Sequence, residues 1–209
     1  MKVLIIDDHA LVRHGMMSLL KEHFKGIEVG EACDARTGLV VATHSPWDLV
    51  VVDITMPGRN GLGLLQDIKR EKSTLPVLVV SAHSEKDYAI RALKLGASGY
   101  ISKQSAADSL VTAVQRIFAG GRYISPALAE QLAGAMAGGS PGTSHETLSN
   151  RELQVLRLIA TGKTIKEISD DLALSAKTVA TYRSRIAEKM GLSTNVELTR
   201  YAMQHHLVD

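Results

Sequence analysis

Five residues that can handle a phosphoryl group or a divalent cation stand at or just beyond the ends of short apolar runs. KVLII leads into Asp7 and Asp8, LVVV into Asp53, PVLVV into Ser81, and GYIS into Lys103. A carboxylate that ends a buried run is costly unless something pairs with it. Two like charges about 4 Å apart repel by about 4 kcal/mol at an effective dielectric near 20. Three aspartates brought together therefore need raised pKa values or a bound cation. An all-oxygen donor set beside room for a phosphate suits Mg²⁺, which takes one or two carboxylates together with waters and phosphate oxygens. An aspartate can attack phosphorus to form an aspartyl phosphate. Such a transfer asks mainly for positioning and charge neutralisation, which a cation and Lys103 can supply, while Ser81 bonds a phosphoryl oxygen. Singly, each residue has a plainer role: Asp7 and Asp8 as caps of a helix near Ala10, Asp53 and Ser81 as turn residues, Lys103 as a solvated charge. Only their joint position at one edge of one sheet favours the chemical role.

That joint position depends on the elements between them. Lys2–Ile6, Gly26–Cys33, Leu49–Asp53, Pro76–Ser81 and Gly99–Ser102 are rich in Val, Ile and Leu. Continuous apolar character of this kind suits parallel strands covered on both faces. Helical stretches intervene, about Ala10–Lys21, Arg36–His44, Leu62–Glu71, Lys86–Leu95 and Ala106–Gly120, two of them behind the capping-box patterns Ser84-x-x-Asp87 and Ser105-x-x-Asp108. Strands alternating with helices predict an α/β fold with an open, doubly wound parallel sheet. Ligands of such sheets gather beyond the carboxyl ends of the strands, where strand order reverses.

Composition narrows the setting. With 45% apolar and 22% charged residues in 209, the chain has an ordinary globular balance. Cys33 is the single cysteine, so an intramolecular disulfide is excluded, which suits a reducing cytoplasm. No apolar run reaches the length of a membrane span and Met1 leads directly into a strand, so a cytoplasmic protein without membrane attachment is expected. After Pro126 the character changes. PALAEQLAGAM can form a helix, whereas AGGSPGTSHET (Ala137–Thr147) is small, polar and rich in breakers. The expected division is a first domain over 1–125, a linker over 126–147 that is partly helical and then flexible, and a second domain over 148–209.

The second domain reads as four short helices. Ser149-x-x-Glu152, Thr164-x-x-Glu167 and Thr194-x-x-Glu197 mark three starts, and Ser175 caps a helix running to about Met190. Ile165–Asp171 and Ala176–Met190, joined by LALS, have the layout of a helix-turn-helix. On a helical wheel Val179, Tyr182, Ile186 and Met190 share one face. Lys177, Thr181, Ser184 and Glu188 lie opposite, flanked by Ala180 and Arg185. Sixteen residues span about 24 Å, enough to lie in a major groove. Ser175–Met190 carries four basic residues against one acid, yet residues 149–209 have nine Lys/Arg against seven Asp/Glu. Charge alone thus leaves a protein-interaction module open, and so weakly basic a unit would bind DNA well only as a dimer on paired half-sites.

Two resemblances sharpen these readings. Asp7-Asp8, Asp53 with Met56-Pro57-Gly58, Ser81-Ala82 and Gly99-Tyr100-Ile101-Ser102-Lys103 together resemble the receiver domain of bacterial two-component response regulators, over about residues 1–125. The resemblance implies a flavodoxin-like five-stranded sheet in the order 2-1-3-4-5. It also implies that Asp53 accepts a phosphoryl group from the phosphohistidine of a sensor histidine kinase. Asp8, Asp53 and the backbone carbonyl of Thr55 would ligate Mg²⁺, with Asp7 acting through water. Ser81 and Tyr100 would form the switch pair and Lys103 would bind the phosphate. A proline often follows this lysine in receivers; here Gln104 does, so the usual cis-proline turn is excluded.

From LSNRELQVLRL to MGLST the tail resembles the four-helix DNA-binding domain of quorum-sensing-type and nitrate-response-type regulators. This implies that Ala176–Met190 is the recognition helix and that Val196–His205 helps to form a homodimer, at least when the protein is phosphorylated. The implied contact set on double-stranded promoter DNA is Lys166, Lys177, Thr178, Ala180, Thr181, Arg183, Ser184 and Arg185. The basic members suit phosphates and Thr181 and Ser184 suit bases. Ala180 stands where a lysine is common and Tyr182 where a histidine is common, so one frequent DNA contact is missing.

Of the remaining polar residues, His9 reads as an ordinary helix-start residue. Arg59 and Asn60 could reach a phosphoryl group or its water, and His205-His206 reads as a solvated helix end. The joined halves imply a phosphorylation switch in which Tyr100 moves inward behind Ser81 and the receiver unmasks or pairs the DNA-binding domains. Such a protein is a phosphoacceptor rather than a turnover enzyme. A Mg²⁺-dependent phosphatase would want an acid where Thr55 stands. A regulator on the same fold that works without phosphorylation, binding DNA or a protein, is the alternative.

Overall fold

The computed structural model describes residues 1–56, 60–82, 85–130, 144–205 and 207–208, and the chain divides into two compact units, 1–139 and 140–209. In the first unit, β1 (Lys2–Ile6), β2 (Glu28–Ala32), β3 (Leu49–Asp53), β4 (Val77–Ser81) and β5 (Gly99–Ser102) form one parallel sheet in the order β2-β1-β3-β4-β5. The helices α1 (Ala10–His23), α2 (Ala35–His44), α3 (Gly61–Glu71), α4 (Glu85–Lys94) and α5 (Ala106–Phe118) alternate with the strands. The chain leaves β1 for β2 on one side and returns to β3 on the other, so order reverses between β1 and β3. The crevice at such a switch point is where this architecture binds ligands.

The sheet is buried on both faces because its strands are apolar at successive positions. Val3, Ile5, Leu49, Val51, Leu78, Val80 and Ile101 pack with Met16 and Leu20 of α1 and with Leu110, Ala113, Val114 and Ile117 of α5. On the other face Gly38 of α2 lies so close to Ile6 that a Cβ would collide with it. Gly61 has a similar role at the start of α3, where a Cβ would run into the Asp53 carbonyl. Register then aligns the ends: Ile6 lies opposite Val52, Asp53 opposite Val80, and Ser81 opposite Ser102.

Several expected boundaries shift. β2 starts only at Glu28, because Gly26 turns the chain at φ 73°. α1 runs on to His23, and α5 stops at Phe118 ahead of Gly120, which has φ 82°. Ser105 does not close the expected capping box: its hydroxyl lies 3.0 Å from that of Ser102, and no side-chain bond reaches the first turn of α5. The Ser84-x-x-Asp87 pattern lies outside the described residues, as does most of the expected flexible linker. Residues 126–130, within the first unit, form a helical turn.

The second unit has a short 3₁₀ turn (Ser144–Thr147) and then α6 (Asn150–Ala160), α7 (Ile165–Asp171), α8 (Ala176–Met190) and α9 (Asn195–Gln204). All three expected capping boxes close in both directions, at Ser149/Glu152, Thr164/Glu167 and Thr194/Glu197. Each satisfies two otherwise orphaned backbone donors and is worth about 1 kcal/mol or more. Leu153, Leu156, Ile168, Val179, Ile186, Leu198 and Ala202 form the core. Buried Glu152 on α6 is fastened to Lys189 on α8 at 2.6 Å.

Candidate acidic site and recognition helix

The acidic site is assembled from four strand ends. Asp7 leaves β1 fully buried, its amide donating to the Ala32 carbonyl at 3.2 Å and its Oδ1 accepting from the His9 amide at 2.8 Å. Arg13 steadies that backbone, with Nη1 donating to the Asp7 carbonyl at 2.7 Å and Nε to Glu31 at 3.0 Å. Asp53 ends β3 at 1% exposure, its Oδ1 accepting from the Thr55 amide at 3.1 Å. Lys103 follows β5 and is drawn to the same edge by its own amide, which donates to the Ser81 carbonyl at 2.7 Å. Its Nζ lies 2.8 Å from both Asp53 Oδ2 and Asp7 Oδ2, and its side chain is only 17% exposed. Bonds between Ser102 and Ser105 pin the loop that carries it.

Asp8 and His9 complete the cluster. His9 Nδ1 is 2.9 Å from Asp8 Oδ1 and 3.3 Å from Asp7 Oδ1. Asp7, Asp8, His9 and Asp53 each offer one ligand atom, all within 4.8 Å of one another. Three carboxylates share one ammonium, which leaves two negative charges unmatched when His9 is neutral. Asp7 Oδ2 and Asp8 Oδ1 are buried and make no well-aligned hydrogen bond despite the nitrogens at 2.8 and 2.9 Å. This donor set and charge fit a divalent cation. Burial pushes the Asp53 carboxyl up to about 6; Lys103 opposes the rise and the Asp7 charge adds to it. Burial also pulls the Lys103 ammonium down, but its bonds to Asp53 and Asp7 outweigh that and hold it above its ordinary value.

The other expected site residues divide. Ser81 is fully buried at the end of β4. Tyr100 is already fully buried on β5, paired with Val79 of β4, so the structure does not show the outward state from which it was expected to move. Thr55 stands two residues beyond Asp53, half-buried. Asn60 caps α3, its Oδ1 accepting from the Leu62 amide at 2.8 Å, so that oxygen serves the helix rather than a phosphoryl group. Arg59 and His206 lie outside the described residues. His205 does sit at an exposed helix end, but its ring stacks on Tyr201 at 4.2 Å. His9 stands at a helix start, as expected, but its side chain has a direction that the sequence did not indicate. The ring takes the N-cap position of α1 without capping it and turns over the carboxylates instead.

On α8, Ser175 Oγ accepts from the Thr178 amide at 3.1 Å and starts the helix. Val179, Ile186 and Met190 are buried as expected, while Tyr182 is only half-buried. Lys177, Thr181, Ser184 and Arg185 are exposed; Thr178 and Ala180 are half-buried. Lys166 is exposed on α7. A shallow cavity of about 310 Å³ opens at the start of α8 between Lys177, Thr181, Tyr182 and Arg185. Arg183 differs from the expected phosphate contact. Its Nε donates to Asn195 Oδ1 at 3.0 Å and its Nη2 to the Ser193 carbonyl at 2.9 Å, so it braces the loop into α9.

The turn between α7 and α8 contains Ala173 at φ 50°, a left-handed backbone that costs an L-residue about 1 kcal/mol or more. Ala173→Gly should therefore stabilise this unit by about 0.5–1 kcal/mol, seen as a higher midpoint in urea with an unchanged slope.

Comparison with known proteins places both units. Residues 3–115 match the response regulator receiver domain, and residues 146–202 match the luxR family of bacterial regulatory proteins. The chain belongs to the two-component response regulators. This regulator is 38% identical over 212 positions to response regulator GacA of Pseudomonas aeruginosa, covering 100% of this chain and 98% of that one. To response regulator UvrY of Escherichia coli strain K12 it is 36% identical over 207 positions, covering 98% and 94%. Among solved structures it resembles RcsB of Salmonella enterica serovar Typhimurium bound to promoter rprA with the phosphomimetic BeF3⁻, with a TM-score of 0.66, 27% identity, and coverage of 97% and 98%. An RcsB–DNA complex matches with a TM-score of 0.60, 26% identity, and coverage of 97% and 98%. The flavodoxin-like sheet and the helix-turn-helix unit are thus those of a transcription regulator with a luxR-type DNA-binding domain. Among the described residues no helix is long and apolar enough to cross a membrane.

Proposed function

We propose that Asp53 accepts a phosphoryl group from the phosphohistidine of a sensor histidine kinase, and that this changes dimerisation and sequence-specific promoter binding. The observation that carries the reading is the buried Asp53 carboxylate, held 2.8 Å from Lys103 at an edge shared with Asp7 and Asp8. An Asp53 oxygen forms the new P–O bond as the P–N bond breaks, and the bonding pair returns to the kinase imidazole. Lys103 turns from Asp53 to a phosphoryl oxygen, and the Ser81 hydroxyl donates to another. Asp8, Asp53 and the Thr55 carbonyl would hold Mg²⁺, with Asp7 through water; when bound, the ion neutralises charge on the phosphoryl oxygens. Because Tyr100 is already inside, the switch is read as repacking of the α4–β5–α5 face around Ser81 and Tyr100.

Residues 1–125 act as receiver, 126–147 as linker and 148–209 as the DNA-binding domain. The chain is a phosphoacceptor, not a turnover enzyme, and works in the cytoplasm. Dimerisation through α9 is supported by exposed Val196 and Met203 beside an apolar cavity of about 550 Å³. The solved structure of two RcsB dimers bound to two parallel DNAs supports dimerisation as such. Incubation with acetyl phosphate and Mg²⁺ should add one phosphoryl mass to the wild type and none to Asp53→Asn; an adduct on the variant would overturn the assignment. Lys177→Ala should weaken operator binding alike across sequences and lower the salt slope by about 1, measured by titrations at several ionic strengths.

A further inference from the structure

We infer that His9 is a ligand-donating member of the acidic site and shifts its preference from Mg²⁺ toward first-row transition dications such as Mn²⁺ and, more strongly, Co²⁺. The inference rests on the reading that Asp8 and Asp53 take a divalent cation. It starts from where the ring goes. His9 holds the N-cap position of α1, yet its side chain makes no capping bond, and Nδ1 instead faces Asp8 Oδ1 at 2.9 Å and Asp7 Oδ1 at 3.3 Å. A neutral ring with its proton on Nδ1 can donate to Asp7 Oδ1 at 3.3 Å, but that leaves Asp8 Oδ1 and both unmatched negative charges of the cluster unanswered; a dication between the ring nitrogen and the carboxylates answers both.

Geometry and chemistry agree. Ligand atoms about 2.0–2.6 Å from a single ion lie at most about 4–5 Å apart, and the four donors here fall within 4.8 Å. Mg²⁺ is hard and keeps oxygen ligands, so an imidazole adds little to its binding. Mn²⁺ also favours oxygen but takes an imidazole nitrogen more readily than Mg²⁺, and Co²⁺ takes one more readily still, affinity rising along that series. The ring is 59% exposed and forms the solvent side of the cluster, so replacing it removes a donor without opening the core. Arg13, bonded to the Asp7 carbonyl, holds the backbone from which the ring is presented.

The test is calorimetric titration of metal-free, full-length wild type, His9→Ala and His9→Gln with Mg²⁺, Mn²⁺ and Co²⁺. Pulsed electron resonance of the Mn²⁺ complexes is read alongside. Even partners outside the ligand shell carry roughly tenfold in affinity, so His9→Ala should lose at least about tenfold for Mn²⁺ and Co²⁺ while Mg²⁺ changes less than about twofold. Imidazole nitrogen coupling should be present in the wild type and absent from both variants, and His9→Gln should keep Mg²⁺ affinity. Equal losses for all three ions, no loss for any, or no nitrogen coupling in the wild type would overturn the inference. If His9→Ala binds every ion as the wild type does, only the role of His9 fails. If the wild type binds no divalent cation, the metal reading of Asp8 and Asp53 fails with it.

Discussion

Asp53→Asn, freed of metal by a chelator at pH 8, should be more stable than the wild type by about 2–3 kcal/mol. The cause is the mismatch between a buried carboxyl pushed up to about 6 and its ordinary value of 3.8. Between those values the unfolded chain gives up its proton while the folded chain keeps it. Native structure therefore loses stability as pH rises from about 4 to about 6, and carries the whole penalty above that window. At about 1.4 kcal/mol per unit the penalty is roughly 2–3 kcal/mol, and it already includes the opposing attraction of Lys103. Thermal melts across pH should show the advantage of the variant shrinking toward pH 4. Mg²⁺ should narrow the gap at pH 8 by stabilising the wild type and leaving the variant nearly unchanged. A variant less stable than wild type at pH 8 without metal would contradict this account of the site.

The second large effect lies in the helical unit. Glu152→Ala should cost that unit about 2–4 kcal/mol. Glu152 is 2% exposed, accepts from the Ser149 amide at 2.7 Å, and meets Lys189 Nζ at 2.6 Å across two helices. Burial alone would push its carboxyl up, but Lys189 and Ser149 more than offset that and hold it below the ordinary range. The substitution removes the cap and the bridge between α6 and α8 together. Lys189, 40% exposed, can turn to water, which keeps the loss below that of a stranded buried charge. A unit of this size holds only about 4–10 kcal/mol in all, so much of the margin goes. Calorimetry should show the helical transition falling by many degrees and the receiver transition unmoved, with operator binding lost in parallel. Glu152→Gln, which keeps the cap acceptor, should be milder.

The parts of the molecule legible in sequence were those governed by local chemistry. β3 reads LVVVD and is buried at every position, so its apolar run alone predicted a doubly covered strand ending in a carboxylate. The capping boxes at Ser149, Thr164 and Thr194 were legible because donor and acceptor lie three residues apart. Ser105 broke that rule because Ser102, also three residues away, competes for its hydroxyl. Arg183 could not be placed from the wheel of its helix, since its partners belong to the loop before α9. The direction of the His9 ring was hidden for a similar reason. A ring at a helix start gives no sign, in sequence, of whether it turns to the helix or to carboxylates delivered by other strands. Tyr100 was placed correctly on β5, but whether it points inward depends on packing that no sequence period encodes.

Operator affinity tests most directly the proposal that charge added at Asp53 controls the DNA-binding helices. Full-length wild type and Asp53→Asn should be titrated onto the same promoter fragment with and without acetyl phosphate and Mg²⁺. The wild type should bind more tightly and as a dimer after treatment, while Asp53→Asn should respond to neither reagent. A treated Asp53→Asn protein that dimerised and bound as well as treated wild type would contradict the proposal.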